Sequence, residues 1–117
     1  MKDIKPQDIW WVDFPYDDIE NSKIRPVIVL RVFPDSLEVL SLKLTSKQPR
    51  VIDKIIDEYE VPIFNWQEAK LRYPSVARIS KVQLISSDKF LKKIGTVADA
   101  DWNNIERKLS KYLKERT

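Results

Sequence analysis

Three short stretches gather the side chains best suited to holding a negatively charged group. They are Lys23-Ile24-Arg25-Pro26 ahead of Val27-Ile28-Val29-Leu30, Leu44-Thr45-Ser46-Lys47, and Ser75-Val76-Ala77-Arg78-Ile79-Ser80-Lys81. Each sets arginine, lysine or hydroxyl groups at or beside the end of an apolar β-like run, where a rigid scaffold fixes polar groups against an anion. The chemistry this suggests is the reading of phosphate. The chain contains no histidine and no cysteine, so such a site must work with arginine, carboxylate and hydroxyl groups.

Arg25 stands between a polar loop and an apolar strand, so its backbone is anchored while its guanidinium offers a fork of donors to a phosphate. A barrel-rim arginine paired with Asp17, Asp18 or Glu20 has the same sequence signature. Thr45 and Ser46 close an alternating strand and are expected to face away from the core, where hydroxyls and backbone donors suit phosphate oxygens and Lys47 adds longer-range attraction. Ordinary end-of-strand turn chemistry uses the same residue types. Arg78 shares a strand face with Val76 and Ser80, and an arginine among apolar neighbours must find an anion or reach the rim. A structural salt bridge and a ligand contact both satisfy that requirement. RNA cleavage by the neighbouring ribose hydroxyl would need a base other than histidine, and the nearest carboxylates are Asp17, Asp18 and Glu20. Arg25 and Arg78 would then act chiefly by charge. Tyr16, Trp66 and Tyr73 are aromatics that can stack on bases, although core or rim packing is their commoner use.

Composition narrows the classes. With 117 residues, 43% of them apolar, the chain is expected to form one domain with a core of its own. A formal net charge of +3 fits a basic patch rather than a uniformly basic coat. Without Cys there is no disulfide framework, and without His as well nearly every structural zinc arrangement is removed, so a metal site would have to be built from carboxylates alone, and no cofactor is expected. A single glycine, Gly95, excludes glycine-rich phosphate loops. The charged start, Met1 to Asp8, and the short apolar runs predict a cytoplasmic protein with no membrane association.

The elements that must position these groups read as short strands and one helix. Asp8 to Phe14 is a strand with apolar residues on both faces, ended by Pro15 and followed by a polar loop from Tyr16 to Lys23. Pro26 to Val32 is a second strand with proline at its first position, Phe33 to Ser36 a turn, and Leu37 to Thr45 a third strand. Ser46 to Asp57 is a loop or, near Val51 to Ile56, a short helical turn. Tyr59 to Ile63 alternates as a strand in which Pro62 indicates an edge. Asn65 to Ala69 carries a helix-start signal worth one or two turns. Val76 to Ile85 forms one long or two short strands with a bulge or bend around Ser80-Lys81, and Phe90 to Val97 a last strand with Gly95 at a tight position. From about Asp99 to residue 115 the period becomes helical, with Trp102, Ile105, Leu109, Tyr112 and Leu113 on one stripe. Lys108, Lys111, Lys114 and Arg116 then complement the helix carboxyl end. The fold class is mainly β with a C-terminal α-helix, a small and strongly bent antiparallel sheet or barrel.

Taken in order, Gln7 to Pro15, Ser22 to Leu30, Leu44-Thr45-Ser46-Lys47, Trp66 to Leu71, Pro74-Ser75-Val76-Ala77-Arg78 and Lys93 to Val97 resemble the MazF/PemK toxin family, and the resemblance spans nearly the whole chain. It implies one SH3-like barrel over residues 1–117, a homodimer, and a metal-independent endoribonuclease of type II toxin-antitoxin systems that cuts single-stranded mRNA, leaving a cyclic phosphate and a free 5′ hydroxyl. It also implies a cognate antitoxin that occupies the RNA groove. By motif position the resemblance assigns catalytic roles to Arg25, Thr45 and Arg78, with Glu20 slightly ahead of Asp18 as the base. Lys23, Ser46, Lys47, Ser80 and Lys81 are the accompanying RNA-binding candidates. Two departures concern the base. Ser80 stands where some members have aspartate, and the first loop lacks the histidine that others use. Lys70 and Asn21 also replace glycines usual in the family. A catalytically silent barrel that binds nucleic acid or an antitoxin is the alternative, and a protein-interaction domain on the same scaffold is a third reading.

Overall fold

The computed structural model describes residues 3–14, 23–45, 51–52, 55–56 and 59–116. Its main sheet is antiparallel, built from β1 (Asp8–Phe14), β2 (Lys23–Phe33), β3 (Glu38–Thr45), β6 (Glu60–Pro62), β7 (Val76–Ser86) and β8 (Phe90–Thr96). The strand order is β6-β7-β3-β2-β1-β8. A separate two-stranded hairpin pairs β4 (Val51–Ile52) with β5 (Ile55–Ile56), and the chain continues after β8 into α1 (Asp99–Arg116).

Alternation explains how one sheet buries both faces. In β2, Ile28 and Leu30 join a cluster with Ile9, Leu42, Leu44, Ile79 and Ile105, while Val27 and Val29 join another with Trp10, Val12, Ile85 and Phe90. Both faces are covered, so the strand reads as a continuous apolar run instead of an alternating one. The helix closes the first cluster. Ile105 is fully buried and Trp102, Leu109 and Tyr112 pack against it, whereas Leu113, expected on the same stripe, is 55% exposed. Tyr59 fastens the far end of the helix by donating its hydroxyl hydrogen to Glu115 and stacking edge-on with Tyr112 at a centroid distance of 5.0 Å.

Several sequence expectations are adjusted. The second strand begins at Lys23, three residues before Pro26. Proline is tolerated inside it because β3 pairing starts only at Val27, so the missing N–H lies where β2 has β1 alone beside it. In place of the expected loop or helical turn near Val51 to Ile56, Val51–Ile52 and Ile55–Ile56 pair as the antiparallel strands β4 and β5. Val76–Ser86 is one strand. Its bend is a register shift in which β3 pairs Leu42 with Val82 but Leu44 with Ala77, so that residues 78–81 of β7 face a single β3 residue. That bend turns the first half of β7 toward the edge strand β6, where Glu60 pairs with Arg78.

Candidate anion-binding site

The three stretches singled out by residue type converge on one cavity. It has a volume of about 670 Å³ and is lined by Trp11 of β1, Ile24, Arg25 and Pro26 of β2, Lys43, Leu44 and Thr45 of β3, and Arg78 of β7. The segment between β6 and β7 adds Lys70, Leu71, Arg72, Tyr73 and Ser75, and β8 adds Ile94. Arg25, Lys43, Lys70, Arg72 and Arg78 are cations, and no described aspartate or glutamate lines the cavity. Five cations in one lining, with the buried Glu60 carboxylate beside Arg78, make a site whose potential favours an anion. The apolar and aromatic surfaces of Trp11, Ile24, Leu71 and Tyr73 give it a second character, suited to a ligand with flat rings as well as charge.

Each candidate is held differently. Arg25 faces Val12 across the β1–β2 ladder, and its Nη1 lies 3.5 Å from the Ile24 carbonyl, the weakest of contacts. Its backbone is therefore held in the β1–β2 ladder, and no described side chain pairs with its guanidinium. Thr45 ends β3 opposite Val76. Its Oγ1 is shielded from solvent and has no hydrogen-bond partner among the described residues, so the expectation that it faces outward is only half met. A hidden hydroxyl without a partner is uncommon enough to require a reason. Arg78 lines the cavity with its Nε 3.4 Å from Oε1 of Glu60, whose side chain is 5% exposed.

The remaining candidates divide. Lys23, Ser80 and Lys81 are exposed and do not line the cavity. Lys23 lies at the outer end of β2 opposite Phe14, and Ser80 and Lys81 sit on the bend of β7. Asp17, Asp18, Glu20, Ser46, Lys47 and Tyr16 lie outside the described residues. Of the aromatics, Tyr73 is a lining residue, while Trp66 packs against the core.

Sequence reasoning passed over Trp11, Lys43, Lys70 and Arg72 as site residues. Lys43 carried a usable signal, since it stands two residues before Thr45 on the same strand face. The others arrive through tertiary packing. The segment before β7 is one tight turn, in which Ala69 N donates to Asn65 O (3.2 Å), Lys70 N to Gln67 O (3.0 Å) and Leu71 N to Trp66 O (3.0 Å). The last two bonds are those of a Schellman closure, and Lys70 takes its left-handed position at φ 66°. The turn is pinned from two sides. Asp101 in the first turn of α1 is buried and accepts hydrogen bonds from Phe64 N, Asn65 N and Asn65 Nδ2. Gly95 of β8 lies so close that a Cβ there would come within 2.2 Å of the Ala69 carbonyl oxygen.

Comparison with solved structures gives the same fold at low sequence identity. A Mycobacterium tuberculosis toxin, MazF-mt6, superposes with a TM-score of 0.70 at 20% identity, covering 92% of this chain and 96% of its own. A mycobacterial endoribonuclease solved with its cognate antitoxin gives 0.71 at 16% identity, over 93% of each chain. MazF from Deinococcus radiodurans gives 0.72 at 16%, covering 95% of this chain and 96% of its own. Comparison with curated proteins gives no match. The family model of the PemK-like, MazF-like toxins, by contrast, matches residues 5–113. That match runs from before β1 nearly to the end of α1 and takes in every described residue of the cavity, so the chain belongs to the PemK-like, MazF-like toxins of type II toxin-antitoxin systems.

Proposed function

We propose that the protein is a metal-independent endoribonuclease that cuts single-stranded mRNA in the cytoplasm and so blocks translation, held in check by a cognate antitoxin and acting as a homodimer. The observation that carries this reading is the cavity in which Arg25, Thr45 and Arg78 meet with further cations and with no carboxylate among its described lining residues. A polyanion with exposed bases is the ligand class that uses both the charge and the aromatic surfaces.

In this mechanism the ribose 2′ oxygen attacks the adjacent phosphorus. The 2′-O–P bond forms, the P–O5′ bond breaks, and the products carry a 2′,3′-cyclic phosphate and a 5′ hydroxyl. The 2′ proton passes to a carboxylate of the first loop, Glu20 ahead of Asp18, and the departing 5′ oxygen takes a proton from water. Arg25 and Arg78 neutralise the charge gathering on the phosphoryl oxygens, acting by charge because a guanidinium does not readily release a proton. The Thr45 hydroxyl donates to one of those oxygens, which would give it a partner that the described residues do not supply. In the mycobacterial relative the antitoxin is bound to the toxin, and an acidic, partly apolar antitoxin segment would find the same complementary cations and rings here.

The test is cleavage of single-stranded RNA in excess chelator, with the product ends identified by mass spectrometry. Cyclic phosphate and 5′ hydroxyl ends, lost in Arg25→Ala, are expected. Binding without cutting would favour the silent nucleic-acid-binding reading. Failure to bind RNA at low salt would remove both.

A further inference from the structure

Lys70 combines three properties. It is a non-glycine residue in left-handed backbone, φ 66°, at a position where glycine is the usual choice. The backbone is not free to relax, because the turn is tied by its own hydrogen bonds, by Asp101 and by contact with Gly95, and Ala69 beside it is fully buried. Its side chain is exposed, lines the cavity, and makes no hydrogen bond or ion pair with any described residue.

The other left-handed non-glycine residues among those described show what Lys70 lacks. Gln7, at φ 80°, uses its side-chain amide to hold the Val97 carbonyl and Asp99. Leu37, at φ 56°, sits at the exposed tip of the β2–β3 hairpin and lines no part of the cavity. Lys70 instead brings its charge to a cavity that Arg25, Lys43, Arg72 and Arg78 also line, where an anion would meet all of them. Strain kept at the edge of a binding cavity points to function when the observed outlier is the starting point.

We propose that Lys70 is a phosphate-contacting residue of this site, binding a backbone phosphodiester of single-stranded RNA through its ammonium group. The proposal rests on the ribonuclease reading, and its chemistry is that of charge rather than base recognition.

The test compares wild type with Lys70→Gly, Lys70→Gln and Lys70→Arg, using a short, fluorescein-labelled single-stranded RNA whose 2′ hydroxyls are methylated so that it is bound but not cut. Lys70→Gly should raise the melting temperature by a few degrees while weakening binding about threefold to tenfold at low salt. Its plot of log K against log salt should be shallower by about 0.7, the slope of one single-strand phosphate contact. Lys70→Gln should weaken binding equally without the thermal gain, and Lys70→Arg should retain wild-type binding. Leu37→Gly, which relieves the same kind of strain away from the cavity, should leave binding unchanged. Wild-type affinity and slope in Lys70→Gly would overturn the role of Lys70 while leaving the ribonuclease reading intact. Absence of RNA binding by the wild type would overturn both.

Discussion

Arg78 enters the cavity with its Nε 3.4 Å from Oε1 of Glu60, so the ion pair and the cavity contact belong to one side chain. The β6–β7 ladder sets these residues opposite each other, and the buried carboxylate, 5% exposed, holds a guanidinium that is 32% exposed. The two readings of an arginine among apolar neighbours, salt bridge or ligand contact, are therefore compatible. Glu60 reduces the freedom of the side chain before any ligand arrives, which is the preorganisation that electrostatic catalysis requires.

Arg78→Ala is predicted to lower kcat/KM for RNA by about a hundredfold to a thousandfold, the range for loss of one fixed donor to a developing oxyanion. It should also cost on the order of 1–2 kcal/mol of stability, a value reduced for the partial exposure of the arginine, because Glu60 loses a charged partner. Arg78→Lys should recover most of the stability and little of the rate, since lysine keeps the charge but not the planar fork. Urea unfolding beside steady-state kinetics separates the two effects. Equal recovery of both by lysine would contradict the argument.

Thr45→Val is expected to move stability and activity apart. The Oγ1 has no partner among the described residues, so replacing the hydroxyl with a methyl removes a desolvated polar group without breaking a described bond, and stability should change by about 0–1 kcal/mol in the favourable direction. Cleavage should fall about tenfold to a hundredfold if the hydroxyl meets a phosphoryl oxygen in the transition state. A variant that cleaves RNA as fast as wild type would remove Thr45 from the mechanism.

Much of the architecture was legible because local signals agreed with tertiary ones. Pro15 follows β1 directly, the Val27–Leu30 run marks a strand covered on both faces, and the change of period at Asp99 marks the helix. The β4–β5 hairpin was not legible, since Val51-Ile52 and Ile55-Ile56 suit a helical turn as well as two paired strands, and only the partner decides. Arg25, Thr45 and Arg78 were legible as candidates because each has a telling residue type at a strand end. Their convergence was implied by the family resemblance and not by local sequence, because it depends on the register shift opposite Lys43 that bends β7. Lys70 and Arg72 reach the cavity only through the packing of their turn against Gly95 and Asp101, which local sequence does not encode.

Asp101→Ala should be among the more destabilising single changes in the chain. The carboxylate is 1% exposed and accepts from two backbone amides and the Asn65 side chain. Removing it leaves those donors unpaired and deletes a negative charge from the first turn of α1, a cost of about 2–4 kcal/mol. Asp101→Asn should recover little, because an amide turns one acceptor into a donor facing donors. Chemical denaturation checks the size of the loss. A change below about 1 kcal/mol would mean the turn is held elsewhere.

Gly95→Ala tests whether the turn bearing Lys70, Leu71, Arg72 and Tyr73 is held in place by β8. The added methyl would sit 2.2 Å from the Ala69 oxygen and 2.9 Å from its carbonyl carbon, both backbone atoms. Neither side can yield by rotating a side chain, so the turn must move away from the sheet or the strand must buckle. A stability loss of about 1–3 kcal/mol is expected, typical of overpacking. Because Ala69 is directly joined to Lys70, displacement of the turn should also weaken RNA binding, by a larger factor than in Lys70→Gly, since Leu71, Arg72 and Tyr73 move with it. Hydrogen exchange at the Ala69, Lys70 and Leu71 amides, which close the turn, supplies the local readout. Their protection should fall more than that of Val27 to Leu30 in β2. Uniform loss across both segments would instead indicate that the methyl weakens the whole fold rather than the placement of the turn.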